Sequence, residues 1–375
     1  MLLPSEPKQT LNHYLTETPE FMNVILLKVA TIVLLLLLNA CTTGESYSSE
    51  ALPAHHTKNG FKNLYVEPVG KSPYSFLKMK YFGDEPFSDQ ESEAHLVDVV
   101  APNIAKILKP GPSPIVTWVG HSTFLIQYQG INVLTDPIFS ERASPVGFAG
   151  PKRLVAMPIA LEDLPEIDFV IISHNHYDHL DLASIRTLGP NPRFLVPLKL
   201  KNWFVEQGIP SEQVIEFDWW DKHNFSNVSV TATPSQHWSA RGLFDRNKTL
   251  WAAWHVKIAE FTFWFAGDTG YNPIQFKEVG KHFKSIDLGL IPIGAYAPKW
   301  FMGPQHVNPE EAVSIHVDIG ASKSIGMHWG TFQLTAEPIM QPKQRLATAM
   351  AERDINDTTF DVLAIGQTIE LDIKK

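Results

Sequence analysis

The stretch from Asp168 to Asp181 reads DFVIISHNHYDHLD, an apolar run that breaks directly into three histidines and two aspartates. No other feature constrains the fold of this chain as tightly. A short, β-branched, wholly apolar run reads as a buried strand. Its polar end is then a strand-to-loop junction, where the strand supplies rigidity and the loop supplies access. Residues 174 and 176, two apart in extended or turning chain, face the same way, so both imidazoles can reach one ion. Asp178 and His179 can reach a second ion beside it. Imidazole and carboxylate suit Zn2+, and also Fe or Mn.

Three later junctions repeat the pattern. PSQHW carries His237, FAGDTG carries Asp268 and GMHWGT carries His328. Five histidines and two aspartates are too many ligands for one tetrahedral ion. They suit two metals that share a bridging carboxylate and a hydroxide. The intervening chain alternates short β-rich runs with polar or Gly-rich loops. PIVTWVG, RFLVPL, NVSVTAT, TLWAAWHVKI, FTFWF and DLGLIPIG read as strands, and FLIQYQGINVLTD as two strands with a turn at Gln129-Gly130. NPEEAVSIHVDIG reads as a helix, with Pro309 in its first turn, Glu310 and Glu311 near its positive end and Gly320 at its stop. Strands interleaved with few helices predict an α/β or α+β fold with two core-forming sheets.

Composition narrows the function classes. The formal net charge is −9 with no Lys/Arg run, which gives no support for a nucleic-acid partner. The single cysteine, Cys41, excludes an intramolecular disulfide. It closes VATIVLLLLLNAC, whose apolar run is too short to span a bilayer, where about twenty residues are needed. That run fits the core of a signal peptide, and Leu38-Asn39-Ala40-Cys41 resembles the bacterial lipobox, in which cleavage leaves a lipid-modified N-terminal cysteine. Residues 1–21 are polar and acidic, which points to a true start at Met22, with Lys28 as the positive flank. The expected organisation is therefore an extension plus lipoprotein-type signal peptide over 1–41, a polar linker over 42–60 and a hydrolase domain over 61–372. The expected location is the membrane-anchored face of a bacterial envelope, on the periplasmic side.

The motifs SHNHYDHLD, PSQHW, FAGDTG and MHWGTF resemble those of the metallo-β-lactamase superfamily. The surrounding WVGHSTFLI, LTDPIFSERASPVGFAGPKR, VIEFDWWD, YAPKWFMGPQHVNPEEA and MHWGTFQL resemble the N-acylphosphatidylethanolamine-hydrolysing phospholipase D family over roughly 61–372. The resemblance implies an αββα sandwich with two Zn2+ ions at one edge, and a phosphodiester cleavage that releases N-acylethanolamine and phosphatidic acid. It implies His174, His176 and His237 on the first metal, Asp178, His179 and His328 on the second, and Asp268 between them, so that Asp178 and Asp268 belong to the catalytic machinery. It places His306 near the scissile phosphate, preceded by Gln305, as substrate-binding residues. His306 would position the phosphate or protonate the leaving oxygen.

Weaker readings remain. His121 reads as a partner of a ligand or as structural. Asp136 reads as an orienter of a metal-bound histidine or as a turn residue. Residues 144–150 and 300–302 read as an acyl groove or as core. His55, His56, His95, His223, His255, His282 and His316 receive no role. The implied partners are a phospholipid and a membrane surface, with a homodimer left open. The pattern of ligands alone also suits a lactonase or a β-lactamase-like hydrolase, and a non-catalytic use of the fold would be marked by loss of ligand residues, none of which is missing.

Overall fold

In the computed structural model, which describes residues 52–67, 74–75, 78–79 and 86–373, the strand Thr123–Tyr128 is buried on both faces. Phe124, Ile126 and Tyr128 join one apolar cluster with Trp118, Val133, Phe169 and Trp254. Leu125 joins another with Leu134, Val170 and Phe194. Side chains alternate across a strand, so a strand that feeds two cores lies in a middle layer.

The strands follow that logic. β1 (His56–Thr57) and β2 (Gly60–Phe61) form a small antiparallel hairpin. β3 (Ile115–Gly120), β4 (Thr123–Tyr128), β5 (Ile131–Thr135), β6 (Phe169–Ile171), β7 (Arg193–Pro197), β8 (Val214–Phe217) and β16 (Thr368–Glu370) form a sheet in the order β16-β3-β4-β5-β6-β7-β8. β9 (Lys222–Phe225), β10 (Val228–Thr233), β11 (Ala253–Ile258), β12 (Phe261–Phe265), β13 (Ile286–Pro292), β14 (Ala321–Met327) and β15 (Phe360–Asp361) form the second, in the order β15-β14-β13-β12-β11-β10-β9. Each sheet is antiparallel in one half and parallel in the other.

Helices close both outer faces. α1 (Leu182–Leu188) and α2 (Lys201–Glu206) cover the first sheet with Ile185 and Phe204. α3 (Gln275–Phe283), α4 (Pro309–Ile319) and α5 (Gln341–Glu352) cover the second with Phe276, Val313, Ile315, Leu346 and Met350. The expected αββα sandwich is the observed fold. α4 begins as its sequence requires. Asn308 accepts from the N–H of Glu311, whose carboxylate accepts from the N–H of Asn308, and Pro309 fills the first turn.

The N-terminal expectations fare differently. The proposed start at Met22, the signal peptide and Cys41 lie outside the described residues. Of the linker expected over 42–60, residues 53–60 belong instead to the folded unit, which begins at Pro53. The arm at its start is tied to residues more than 160 positions away, His55 and His56 to Asp218 and Asn63 to His237, which no local pattern reveals. Among the described residues, no helix is long and apolar enough to cross a membrane.

Candidate metal centre

β6 ends at Ile171, and the loop after it turns the histidine motif inward. β10, β12 and β14 deliver His237, Asp268 and His328 to the same place, so both sheets contribute. Two donor groups result. In the first, His174 Nε2 and His237 Nε2 lie 2.8 and 3.3 Å from His176 Nδ1. Asp268 Oδ2 lies 3.8 Å from His174 Nε2 and 3.6 Å from His237 Nε2. In the second, Asp178 Oδ2 lies 3.4 Å from Nε2 of both His179 and His328, and those nitrogens are 3.2 Å apart. Asp268 also reaches this group, with Oδ2 3.1 Å from His179 Nε2 and Oδ1 3.1 Å from His328 Nε2. One carboxylate thus touches both sets.

The groups behind the rings fix which nitrogen faces inward. His179 Nδ1–H donates to Asp136 Oδ2 at 2.7 Å. His237 Nδ1–H donates to the Gln305 carbonyl at 2.9 Å. His174 Nδ1–H donates to Ser173 Oγ at 2.9 Å, and that hydroxyl in turn donates a hydrogen bond to Asp136 Oδ2. In its neutral form each of these three rings therefore turns an Nε2 lone pair into the cluster. Lone pairs gathered around carboxylate oxygens at these separations repel one another unless cations lie among them. The residues present fit a pair of divalent transition cations.

Charge follows the same plan. Burial pushes His174 and His176 well below the ordinary imidazole value, and neighbouring imidazoles add to it. Burial opposes charge on His179 and His328 too, but Asp268 and Asp178 outweigh it, lifting His179 well above its usual value and His328 to about 9. Burial likewise works against the carboxylates of Asp178 and Asp268, yet His179 and its neighbours hold both well below the usual range. The centre keeps two anions among imidazoles, the field a cation pair needs.

The backbone is bent to achieve this. His121, Asp136 and His328 hold positive φ values of 54, 31 and 63°, a conformation costly to residues with a Cβ. Gly267 has φ 57°, and a Cβ there would meet the Ser173 Cβ at 2.4 Å. FAGDTG thus needs its first glycine for the close approach of β12 to the histidine loop.

Of the weaker candidates, His121 and Asp136 both enter the site. His121 Nε2 lies 3.1 Å from Asp178 Oδ2, and burial followed by the nearby His328 lowers its imidazole to about 3. Asp136 is fully buried and accepts from His179, the Ser173 N–H and the Ser173 hydroxyl. His306 lies with Nδ1 4.0 Å from Asp268 Oδ2 and its ring centre 5.0 Å from that of His237. The cap of α4 is Asn308, two residues beyond His306. Gln305 meets the site through its main-chain oxygen, while its side chain is buried.

The two apolar stretches part company. Residues 144–150 form an exposed loop with Phe148 84% accessible, not core. In 300–302, Trp300 is half exposed while Phe301 and Met302 pack with Met79 and Ala295. His316 bonds Ser324 Oγ inside the fold, and His255 stacks on Phe283, both apart from the centre.

Three supporting residues carried no sequence signal. Arg241 donates to the carbonyls of Asn175 and Leu180 and so braces the motif loop from both ends. The Asn63 amide accepts from the His237 N–H and donates to its carbonyl. Buried Glu337 accepts from the N–H groups of Ala295, Tyr296 and Ala297, fixing the start of the segment that carries Gln305 and His306.

A sequence profile for the beta-lactamase superfamily domain matches residues 131–329. The N-acyl-phosphatidylethanolamine-hydrolyzing phospholipase D 1 of Caenorhabditis elegans is 42% identical over 266 residues, covering 68% of this chain and 75% of that protein. The mitochondrial phospholipase D of the same description from Saccharomyces cerevisiae is 38% identical over 238 residues, 61% of this chain and 50% of that one. Among solved structures, a metallo hydrolase of the archaeon Ignicoccus hospitalis aligns with a TM-score of 0.52 at 21% identity, over 70% of this chain and all of that one.

Proposed function

This chain belongs to the N-acylphosphatidylethanolamine-hydrolysing phospholipase D family of the metallo-β-lactamase superfamily and is a metal-dependent hydrolase, and we propose that its substrate is an N-acyl phospholipid. In the proposed reaction the oxygen of water bonds to phosphorus and the bond from phosphorus to the ethanolamide oxygen breaks. The water proton ends on that leaving oxygen. The products are N-acylethanolamine and phosphatidic acid.

Zinc is the proposed metal, two ions per chain, on the imidazole and carboxylate donor set. His174, His176 and His237 would hold one, Asp178, His179 and His328 the other, with Asp268 shared. Bound there, the pair would supply Lewis acidity towards the phosphate and a nucleophile from water at neutral pH. The protein's own groups do the rest. Asp136, Ser173 and the Gln305 carbonyl hold three imidazoles in the tautomer that faces inward. His121 steadies Asp178. His306, beside Asp268, is placed to orient the phosphate or to hand a proton to the departing alkoxide.

The observation that carries this reading is Asp268 touching both donor groups. The substrate class rests on the likeness to the phospholipases D, since the same centre suits other esters and amides. Lipid modification at Cys41 is proposed in addition, because a tether would hold the site near its lipid.

The test incubates the full-length chain in detergent with N-acylphosphatidylethanolamine, with and without a chelator, and identifies products by mass spectrometry. Chelator-sensitive release of N-acylethanolamine and phosphatidic acid is expected. If protein carrying its metals releases neither, the substrate assignment fails and lactones become the next substrates to try. His306→Asn is expected to lose turnover with normal metal content, and full turnover would remove His306 from the mechanism.

A further inference from the structure

We propose that His55, His56 and Asp218 form a second, mononuclear site for a divalent transition cation, built from none of the residues of the two-metal centre. The side chains come from two distant parts of the sequence, adjacent His55 and His56 and, more than 160 residues on, Asp218, and they converge on one point. His55 Nε2 lies 2.6 Å from Asp218 Oδ1, and His56 Nε2 lies 2.7 Å from Oδ2. One donor atom from each residue lies within 4.8 Å of the other two. Two imidazoles and a carboxylate are a common set for zinc, and a fourth position remains for water. The cluster is open enough to admit it, since the His55 side chain is 7% accessible and those of His56 and Asp218 are 18%.

The surroundings hold the donors in place. Trp219 stacks on the His55 ring at 4.2 Å and 22°. Phe61 meets the His56 ring edge-on at 5.0 Å. The N–H of Trp219 donates to Asp218 Oδ1 at 2.8 Å, which orients the carboxylate as outer partners orient metal ligands elsewhere. Burial works against the Asp218 charge, but the two histidines hold its carboxyl below the usual value.

The local chain explains why a cation is useful there. β1 and β2 are two residues each, far too short to hold together as an isolated hairpin. The N–H of Lys62 closes back on the His55 carbonyl, and the next residue, Asn63, grips His237 through its backbone on both sides. A cation on His55, His56 and Asp218 would fasten the arm whose far end positions a ligand of the principal centre. Binding costs each Nε2 its proton, released to solvent, and forms two nitrogen bonds and one oxygen bond to the ion.

The test strips the full-length protein with a chelator and titrates it with Co2+. Bound metal is counted by mass spectrometry after desalting, and coordination is followed by visible absorption. Three Co2+ per chain are expected for the wild type and two for His56→Asn and for Asp218→Asn. His56→Asn alters a partly exposed ring at the edge of the fold, and Asp218→Asn keeps the side-chain shape, so each guards against the other failing to fold. Equal stoichiometry in wild type and both folded variants would overturn the proposal and leave a hydrogen-bonded clasp. A wild type that binds one Co2+, lost in His56→Asn, would instead refute the two-metal reading while supporting this site.

Discussion

Asp136 shows how much of a metal centre lies behind its ligands. It is a member of neither donor group described above, yet it takes three hydrogen bonds, one from the ligand candidate His179 and two from Ser173. Burial raises its pKa while those donors work to lower it. Asp136→Ala leaves these donors buried without an acceptor, at about 1–3 kcal/mol each, and frees His179 to turn. Loss of an outer partner of a metal-binding histidine weakens metal by about 10–100-fold. The expected result is a chain that holds about one metal fewer than the wild type at limiting Zn2+ and regains it as Zn2+ is raised, read by metal counting across a dialysis series. Unchanged affinity would show that Asp136 only shapes its turn. At this scale the sequence is legible where ligands cluster: SHNHYDH declares itself through local spacing. His121 and Asp136 were readable only as alternatives, because a residue that acts through another ring leaves no spacing of its own. The side chains of Arg241 and Asn63 act on backbone atoms of other residues and leave no mark at all.

The elements were legible wherever burial imposes a period. β4 alternates between two cores, and α4 carries its cap, its first-turn proline and its stop in thirteen letters from Asn308 to Gly320. The start of the arm, Pro53 to Gly60, was not legible, because its polar composition reads as linker and its partners are distant in sequence. The segment from Ala295 to His306 was read as site-bearing, but not how it is held. Glu337 holds it, giving both carboxylate oxygens to three backbone N–H groups. Glu337→Gln keeps one accepting oxygen and aims an amide N–H at a backbone N–H. The segment should loosen, drawing the Gln305 carbonyl from His237 and shifting His306. A fall in kcat of about tenfold or more is expected, as for small misplacements near reacting groups, with metal content near normal. Glu337→Asp, which keeps the charge but shortens the reach, should recover part of that loss. A variant with wild-type kcat and only a lower melting temperature would make Glu337 purely structural.

At the scale of the whole molecule, the centre is a seam. His121, His174, His176, Asp178 and His179 come from the first sheet, and His237, Asp268 and His328 from the second. Asp268 contacts histidines of both. Metals bound there would staple the two sheets at one edge of the sandwich, beyond what their shared apolar core supplies. A ligand that binds only the folded state stabilises it by about 4.1 kcal/mol at a thousand times its dissociation constant, and each kcal/mol is worth about 2–4 °C in a domain of some 150–250 residues. Chelation should therefore lower the melting temperature by several degrees, reversibly on adding Zn2+. Hydrogen exchange should quicken at 173–179 on one sheet and at 235–237, 266–268 and 327–329 on the other, while the interior of β4 and β12 stays protected by packing alone. Loosening confined to 173–179 would mean that the metals bind one sheet's loop and do not join the two. Loosening across every strand would mean that the core is weaker than its burial implies, and that the metals hold up the fold itself.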